Sequence, residues 1–336
     1  EAFTGHLLPQ MPAGRGGIED RMPTRRSFLE AAAATCLVVG VPVSSGCEST
    51  IEASVPMKTT TPKTARVLWY SSTGNTRRVG RAVAQGLRAA GLEVEASEYR
   101  DADIATLASY DLIVLGTPTF FADVPCNLRE WLQGLPALGG AAVGAFSTFG
   151  GPGDGQEHSA AQLLRLAARR GGVPVGRETF GCMSVYAPTW SALDNPARTL
   201  AYKHLPSVET YDSARRYARR LLDQVATGQG ITVTLRFDRG TVMRAFPQVA
   251  LSKLMTSNHG VDTERCIGCK ACVKACPTGA IDPVAGTVDS RRCIACLGCI
   301  NNCPAGAVTM SFMGKPVYGF RELLDRKGIT ILEPEV

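Results

Sequence analysis

The chain has 336 residues, 45% hydrophobic and 20% charged, which is room for two domains of ordinary soluble composition. Its net charge of +6 is diffuse: residues 65–225 carry 17 basic against 15 acidic side chains, and residues 259–312 carry 5 against 4. With no basic stripe interleaved with aromatics, nucleic acid is excluded as a partner. Of the twelve cysteines, eight fall within residues 266–303, and their spacing argues against the disulfide framework that so many cysteines first suggest.

In chain order, residues 1–21 precede a better start at Met22 and read as misassigned upstream sequence. Residues 22–46 hold Thr24-Arg25-Arg26-Ser27-Phe28-Leu29 and then a short apolar run, AAAATCLVVGVPV. That run is too short to span a bilayer, which needs about 20 residues, and the whole reads as a twin-arginine signal peptide. Val43-Ser44-Ser45-Gly46-Cys47 resembles a lipobox, which implies membrane anchoring through a lipidated Cys47. An apolar N-terminal helix of a cytoplasmic protein is the alternative. Residues 47–64 are Ser/Thr/Pro-rich and predict a poorly structured linker.

From residue 65 to 225 strand and helix patterns alternate. ARVLWYS, LEVEASEY, DLIVLGT, AAVGAFSTF and ETFGCMSV predict strands, and VGRAVAQGLRAAG, HSAAQLLRLAARR and TYDSARRYARRLLDQVATG predict helices. This pattern predicts an α/β fold, a doubly wound parallel sheet covered on both faces. Its first strand runs into Ser71-Ser72-Thr73-Gly74-Asn75-Thr76 and then a helix. Backbone N–H groups at a helix start, with hydroxyl donors added, favour a phosphate. The loop holds no Lys and no G-x-G-x-x-G follows the strand, which disfavours triphosphatase and dinucleotide folds. Arg77 and Arg78 oppose the helix dipole unless a dianion lies beside them. Cys126 and Cys182 read as small buried residues, and the four histidines form no ligand spacing.

Residues 226–258 predict a connector with a helix near 241–254. Residues 259–312 then hold Cys266-x2-Cys269-x2-Cys272-x3-Cys276-Pro277 and, shifted by 27, Cys293-x2-Cys296-x2-Cys299-x3-Cys303-Pro304. This is an internal duplication. Zinc sites favour paired C-x2–4-C knuckles, and a c-type haem needs C-x-x-C-H, where Val273 and Ile300 stand instead. The repeat resembles the bacterial two-cluster ferredoxins, which implies two [4Fe–4S] clusters with exchanged fourth ligands. Cys266, Cys269, Cys272 and Cys303 would hold one cluster, and Cys293, Cys296, Cys299 and Cys276 the other. Residues 313–336 are a tail.

The T-G-x-T form of the first loop resembles the FMN phosphate loop of flavodoxins. Two later strand ends extend the resemblance, at Pro118, Thr119, Phe120 and Phe121 and at Phe149, Gly150 and Gly151; in flavodoxins the corresponding loops flank the flavin ring. The chain therefore resembles the flavodoxin–ferredoxin fusions, a flavodoxin-like domain followed by a small α+β 2[4Fe–4S] ferredoxin domain. The resemblance implies an electron carrier relaying between FMN and the clusters, with redox proteins as donor and acceptor. A flavin-dependent reductase, for example of a quinone, and a ferredoxin on a flavin-free docking domain are the alternatives. The targeting segment implies export to the periplasm or the outer face of the cytoplasmic membrane.

Overall fold

The computed structural model describes residues 49–151, 155–235, 239–244 and 246–335. Residues 1–46 and the lipobox Cys47 lie outside the described residues, and with them the twin-arginine segment.

In chain order the elements of the first region are β1 (Ser49–Ile51), β2 (Thr64–Trp69), α1 (Asn75–Ala89), β3 (Glu93–Glu98), β4 (Leu112–Pro118) and α2 (Cys126–Gln133), then β5 (Ala142–Phe149), α3 (Gln156–Ala168), β6 (Val173–Gly181), α4 (Pro196–Leu200) and α5 (Val208–Ala226). Strands β2 to β6 form a five-stranded parallel sheet in the order β3-β2-β4-β5-β6, with Val67 opposite Val114 and Val114 opposite Gly144. Alternate residues of β2 serve opposite faces. Val67 and Trp69 pack with Val79, Val83 and Leu87 of α1 and Tyr217 and Leu221 of α5. Leu68 packs with Leu128 and Leu132 of α2 and Leu163 and Leu164 of α3. Helices α1 and α5 meet at Gly86, where a Cβ would lie 2.9 Å from the Arg215 carbonyl oxygen, so only glycine allows that approach. All five strands are parallel, which puts the β2, β4 and β5 loops at one edge of the sheet, where such folds bind ligands.

The predicted strand ETFGCMSV is displaced: β6 starts at Val173 and ends at Gly181. The linker also departs from expectation. Its β1 pairs antiparallel with β7 (Val233–Leu235), and Lys58 donates from its backbone N–H to the Gly140 carbonyl at 2.8 Å and from Nζ to that of Ser109 at 2.7 Å. Backbone pairing does not depend on side-chain hydrophobicity, so a polar composition conceals it.

The connector contains α6 (Arg239–Arg244) and α7 (Gln248–Leu254). The second region then runs β8 (Thr256–Val261), α8 (Ala271–Ala275), β9 (Ile281–Asp282), β10 (Thr287–Val288), α9 (Gly298–Asn302), β11 (Val308–Phe312), β12 (Lys315–Pro316) and α10 (Phe320–Lys327). Its duplication is visible in the backbone. Helix α9 repeats α8 after 27 residues, and each is preceded by a left-handed residue, Lys270 and Leu297. The cysteine region and the sheet domain share packing. Met183 and Trp190, which follow β6, lie in one core with Ile281, Ile300 and Phe312 and with Phe320 and Leu323 of α10. Trp190 Nε1–H donates to the Tyr318 carbonyl at 3.1 Å. The tail is thus part of that core.

Candidate functional site

Helix α1 starts after Gly74, whose φ of 97° is open to glycine, and has no acidic residue in its first turn. Gly74 N–H donates to Ser71 Oγ at 3.1 Å, which closes the turn. Thr76 Oγ1 lies 2.8 Å from Thr148 Oγ1 at the end of β5; the pair uses one hydroxyl hydrogen and leaves the other for a ligand. The second loop is a tight turn in which Phe120 and Asp123 exchange backbone hydrogen bonds of 3.0 and 2.9 Å. Phe121 and Ala122 take positive φ of 52° and 61° there, a strain typical of binding loops. In the third loop Gly150 passes Ser184 so closely that a Cβ would lie 2.3 Å from its Cα.

These loops surround a cavity of about 490 Å³. Ser71, Ser72, Thr73, Asn75, Thr76, Pro118, Thr119, Phe120, Phe121, Phe149 and Gly150 all line it. Gly74 and Gly151 shape the turns instead, Gly151 at φ 103° against the Tyr202 ring. Three further segments and Arg198 of α4 complete the wall: Cys182 to Tyr186 after β6, Gln248 to Met255 in and after α7, and Ala295 to Leu297 in the second cysteine run. Sequence reading placed none of them at this cavity, Cys296 being read as a cluster ligand, because no local phosphate-loop signature marks them. Asn302 Nδ2 donates to the Ser72 carbonyl at 2.7 Å and Asn75 Nδ2 to that of Met183 at 3.0 Å, which fixes the first loop to both neighbours.

Arg78 reaches back over the first loop, with NH1 3.4 Å from Asn75 Oδ1. Its Nε donates to Glu333 Oε1 at 2.7 Å, and Arg77 and Arg81 lie 4.0 and 3.5 Å from the same carboxylate. One anion from the tail therefore already serves the arginines that oppose the dipole.

The cysteines divide into two groups of four. Cys266, Cys269, Cys272 and Cys303 border one small cavity, and Cys276, Cys293, Cys296 and Cys299 border a second. Ala280 N–H donates to Cys276 Sγ at 3.1 Å and Ala307 N–H to Cys303 Sγ at 3.2 Å. Burial pushes the Cys296 thiol up to about 11 and holds Cys299 well above the usual thiol range. Cys126 and Cys182 border neither of these two cavities, and burial raises Cys182 to about 12.

Residues 67–165 match the family model of flavodoxin, and residues 259–282 and 291–306 match models of the 4Fe-4S binding domain. The chain holds a flavodoxin domain followed by 4Fe-4S binding domains. It is similar to a flavodoxin from Clostridium saccharobutylicum, 25% identical over 47% of this chain and 95% of the relative. It is also similar to an NAD(P)H dehydrogenase (quinone) from Cupriavidus metallidurans, 31% identical over 33% of this chain and 71% of the relative. A solved flavodoxin from the domain Archaea aligns with 48% of this chain and 98% of its own at 16% identity, with a TM-score of 0.36.

As a flavodoxin fused to 4Fe-4S domains, the chain is an electron-transfer protein that uses FMN and two [4Fe–4S] clusters. The residues fit both groups. Thr119 Oγ1 is buried at the cavity between the three loops without a hydrogen-bond partner, a group that a bound polar ligand would satisfy. Among the described residues no three His, Cys, Asp or Glu side chains converge as a single metal ion requires. Each cysteine quartet instead lines its own small cavity.

Proposed function

We propose that this flavodoxin–ferredoxin fusion is an exported electron relay. The quartet of Cys276, Cys293, Cys296 and Cys299 would hold the flavin-side cluster, and Cys266, Cys269, Cys272 and Cys303 the outward one. The observation that carries this reading is the flavin cavity itself, whose wall contains Cys296 alongside Phe120 and Phe149. Flavin exchanges one or two electrons and a cluster one, and that chemistry belongs to the cofactors. The chain's part is to hold the phosphate with Ser71–Thr76, to place Phe120 and Phe149 at the ring, and to keep Cys296 in contact with the same space. At the far end Cys269 is exposed beside Ile267, which is 68% accessible, an open end at which a redox protein would dock. Arg25 and Arg26 would direct the folded, loaded protein through the twin-arginine route, and a lipidated Cys47 would hold it at the outer face of the membrane.

Cys303→Ala tests the relay order. Iron in the protein should fall from about eight to about four per chain, as two cubanes require. The surviving cluster should be the one bound by Cys293, Cys296, Cys299 and Cys276. Loss of that cluster instead would reject the crossed quartets.

A reductase is the second reading. A neighbouring cavity of about 450 Å³ shares Phe120, Phe121 and Gln248 with the flavin cavity and is bordered by Arg129 and Lys253, room for a small acceptor with anionic character. Multiple turnover of a small-molecule acceptor, with a reduced ferredoxin as donor, would favour it over the carrier.

A further inference from the structure

The turn from Phe120 to Asp123 is a partition between the flavin cavity and the neighbouring cavity of about 450 Å³. Phe120 and Phe121 line both spaces, and Asp123 lines the second alone. The connector holds this turn in place, since Arg244 NH1 donates to the Ala122 carbonyl at 3.2 Å. Ile294, next to Cys293, lines the second cavity and also borders the space shared by Cys276, Cys293, Cys296 and Cys299. A molecule held there would touch the walls of both redox sites.

The lining combines two kinds of surface. Phe120, Phe121, Phe246, Val249 and Ile294 offer an apolar face, and Phe246 is exposed to solvent. Three cations, Arg129, Arg244 and Lys253, border the same space against one carboxylate, that of Asp123. This carboxylate is already engaged. Arg129 NH2 pairs with its Oδ2, His158 Nε2 lies 3.7 Å from Oδ1, and the Val124 N–H donates to Oδ1 at 2.6 Å. Arg129 Nε is nonetheless buried with no hydrogen-bond partner, a donor that calls for an acceptor the chain does not supply. Pro125 and Cys126, at the start of α2, line the cavity too, and no acidic residue in the first turn offsets the positive end of that helix. The cavity is therefore built for an anion. No Ser or Thr lines it, so a phosphate would lack the hydroxyl donors present at the first loop, whereas a planar guanidinium matches a carboxylate. A mostly apolar lining with a few convergent polar groups is the usual make-up of a small-molecule site.

We propose that the second cavity binds a small carboxylic acid with an apolar body, its carboxylate at Arg129 and Lys253 and its body against Phe120 and Phe121. This deepens the reductase reading, on which it rests only for the ligand's role as acceptor: the acceptor becomes an acid and not an uncharged quinone. The test is calorimetric titration of protein loaded with FMN and both clusters, with cinnamate as the probe and cinnamyl alcohol as its uncharged counterpart. The acid should bind at least about tenfold more tightly than the alcohol, because hydrogen bonds to a charged group are the stronger kind. Lys253→Met removes a charge and keeps the apolar stem; Arg129→Lys keeps the charge beside Asp123 and removes the fork. Each should weaken the acid about tenfold and leave the alcohol unmoved. Ala250→Trp, which fills the cavity from α7, should exclude both probes while the protein keeps about eight iron. Equal affinity for acid and alcohol, or charge variants that weaken both probes alike, overturns the proposal. Binding of the acid by flavin-free protein alone also overturns it, since the acid would then occupy the flavin cavity. Failure of every small acceptor to give multiple turnover would reject the reductase reading and leave the binding result standing.

Discussion

The eight cluster cysteines come from residues 266–303, whereas the flavin cavity draws its wall from segments between Ser71 and Leu297. The first kind of site is made by short-range spacing, so each half of the duplication could hold three corners of a cluster before the rest of the chain has packed. The second exists only when the sheet, α7 and the cysteine loop have come together. A change far from the flavin loops should therefore still reach the flavin, while the cysteine spacing survives.

The largest effect should come from the shared core. Leu323 is fully buried there with Trp190 and Ile300, and Leu323→Ala should cost about 2–5 kcal/mol. If the two regions are one cooperative unit, fluorescence of the sheet domain and absorbance of the clusters should lose their signals in one shifted transition. Two separate transitions would break the comparison and restore independent modules.

Next comes Glu98, at the end of β3 beside the cysteine region. Burial raises its carboxyl to about 7, against the pull of Arg100, whose Nε lies 3.1 Å away. Arg100 also donates to the Cys276 carbonyl at 3.3 Å. A folded value above the unfolded 4.5 means that the native state binds the proton more tightly. The stabilisation is complete below pH 4.5 and is lost as pH rises through 7. The span corresponds to at most about 3 kcal/mol. Glu98→Gln should flatten stability between pH 5 and 8, as followed by urea unfolding; an unchanged slope would remove Glu98 from the account.

The flavin cavity can be sharpened through Thr119, whose buried hydroxyl has no partner. Thr119→Val should leave the flavin-free protein as stable or slightly more so. Its FMN affinity should fall about tenfold, since a hydrogen bond lost to a ligand costs about 1–2 kcal/mol. Equal affinity by fluorescence titration would place the ligand elsewhere in the cavity. The smallest effect should be that of Glu333→Gln. Glu333 is about half exposed, so losing its bridge to Arg77, Arg78 and Arg81 should cost less than about 1 kcal/mol, and the loss should shrink further in high salt.

Read without the structure, the residues already specify most of the chemistry. Apolar runs alternating with amphipathic helices pointed to the parallel sheet, the x2-x2-x3 cysteine spacing with its resemblance to ferredoxins implied the two quartets, and Ser71–Thr76 marked the start of α1 as a candidate anion site. Each of these signals lies within a few residues of chain, where backbone geometry alone relates spacing in sequence to spacing in space. What the tertiary structure decided is long-range. Only packing brings Cys296 into the wall that holds Phe120 and closes α7 over the cavity. It also turns the tail into a core helix and a carboxylate for Arg78. The pairs Asn302–Ser72 and Arg78–Glu333 are each separated by more than two hundred residues, and no local pattern of side chains encodes such a meeting.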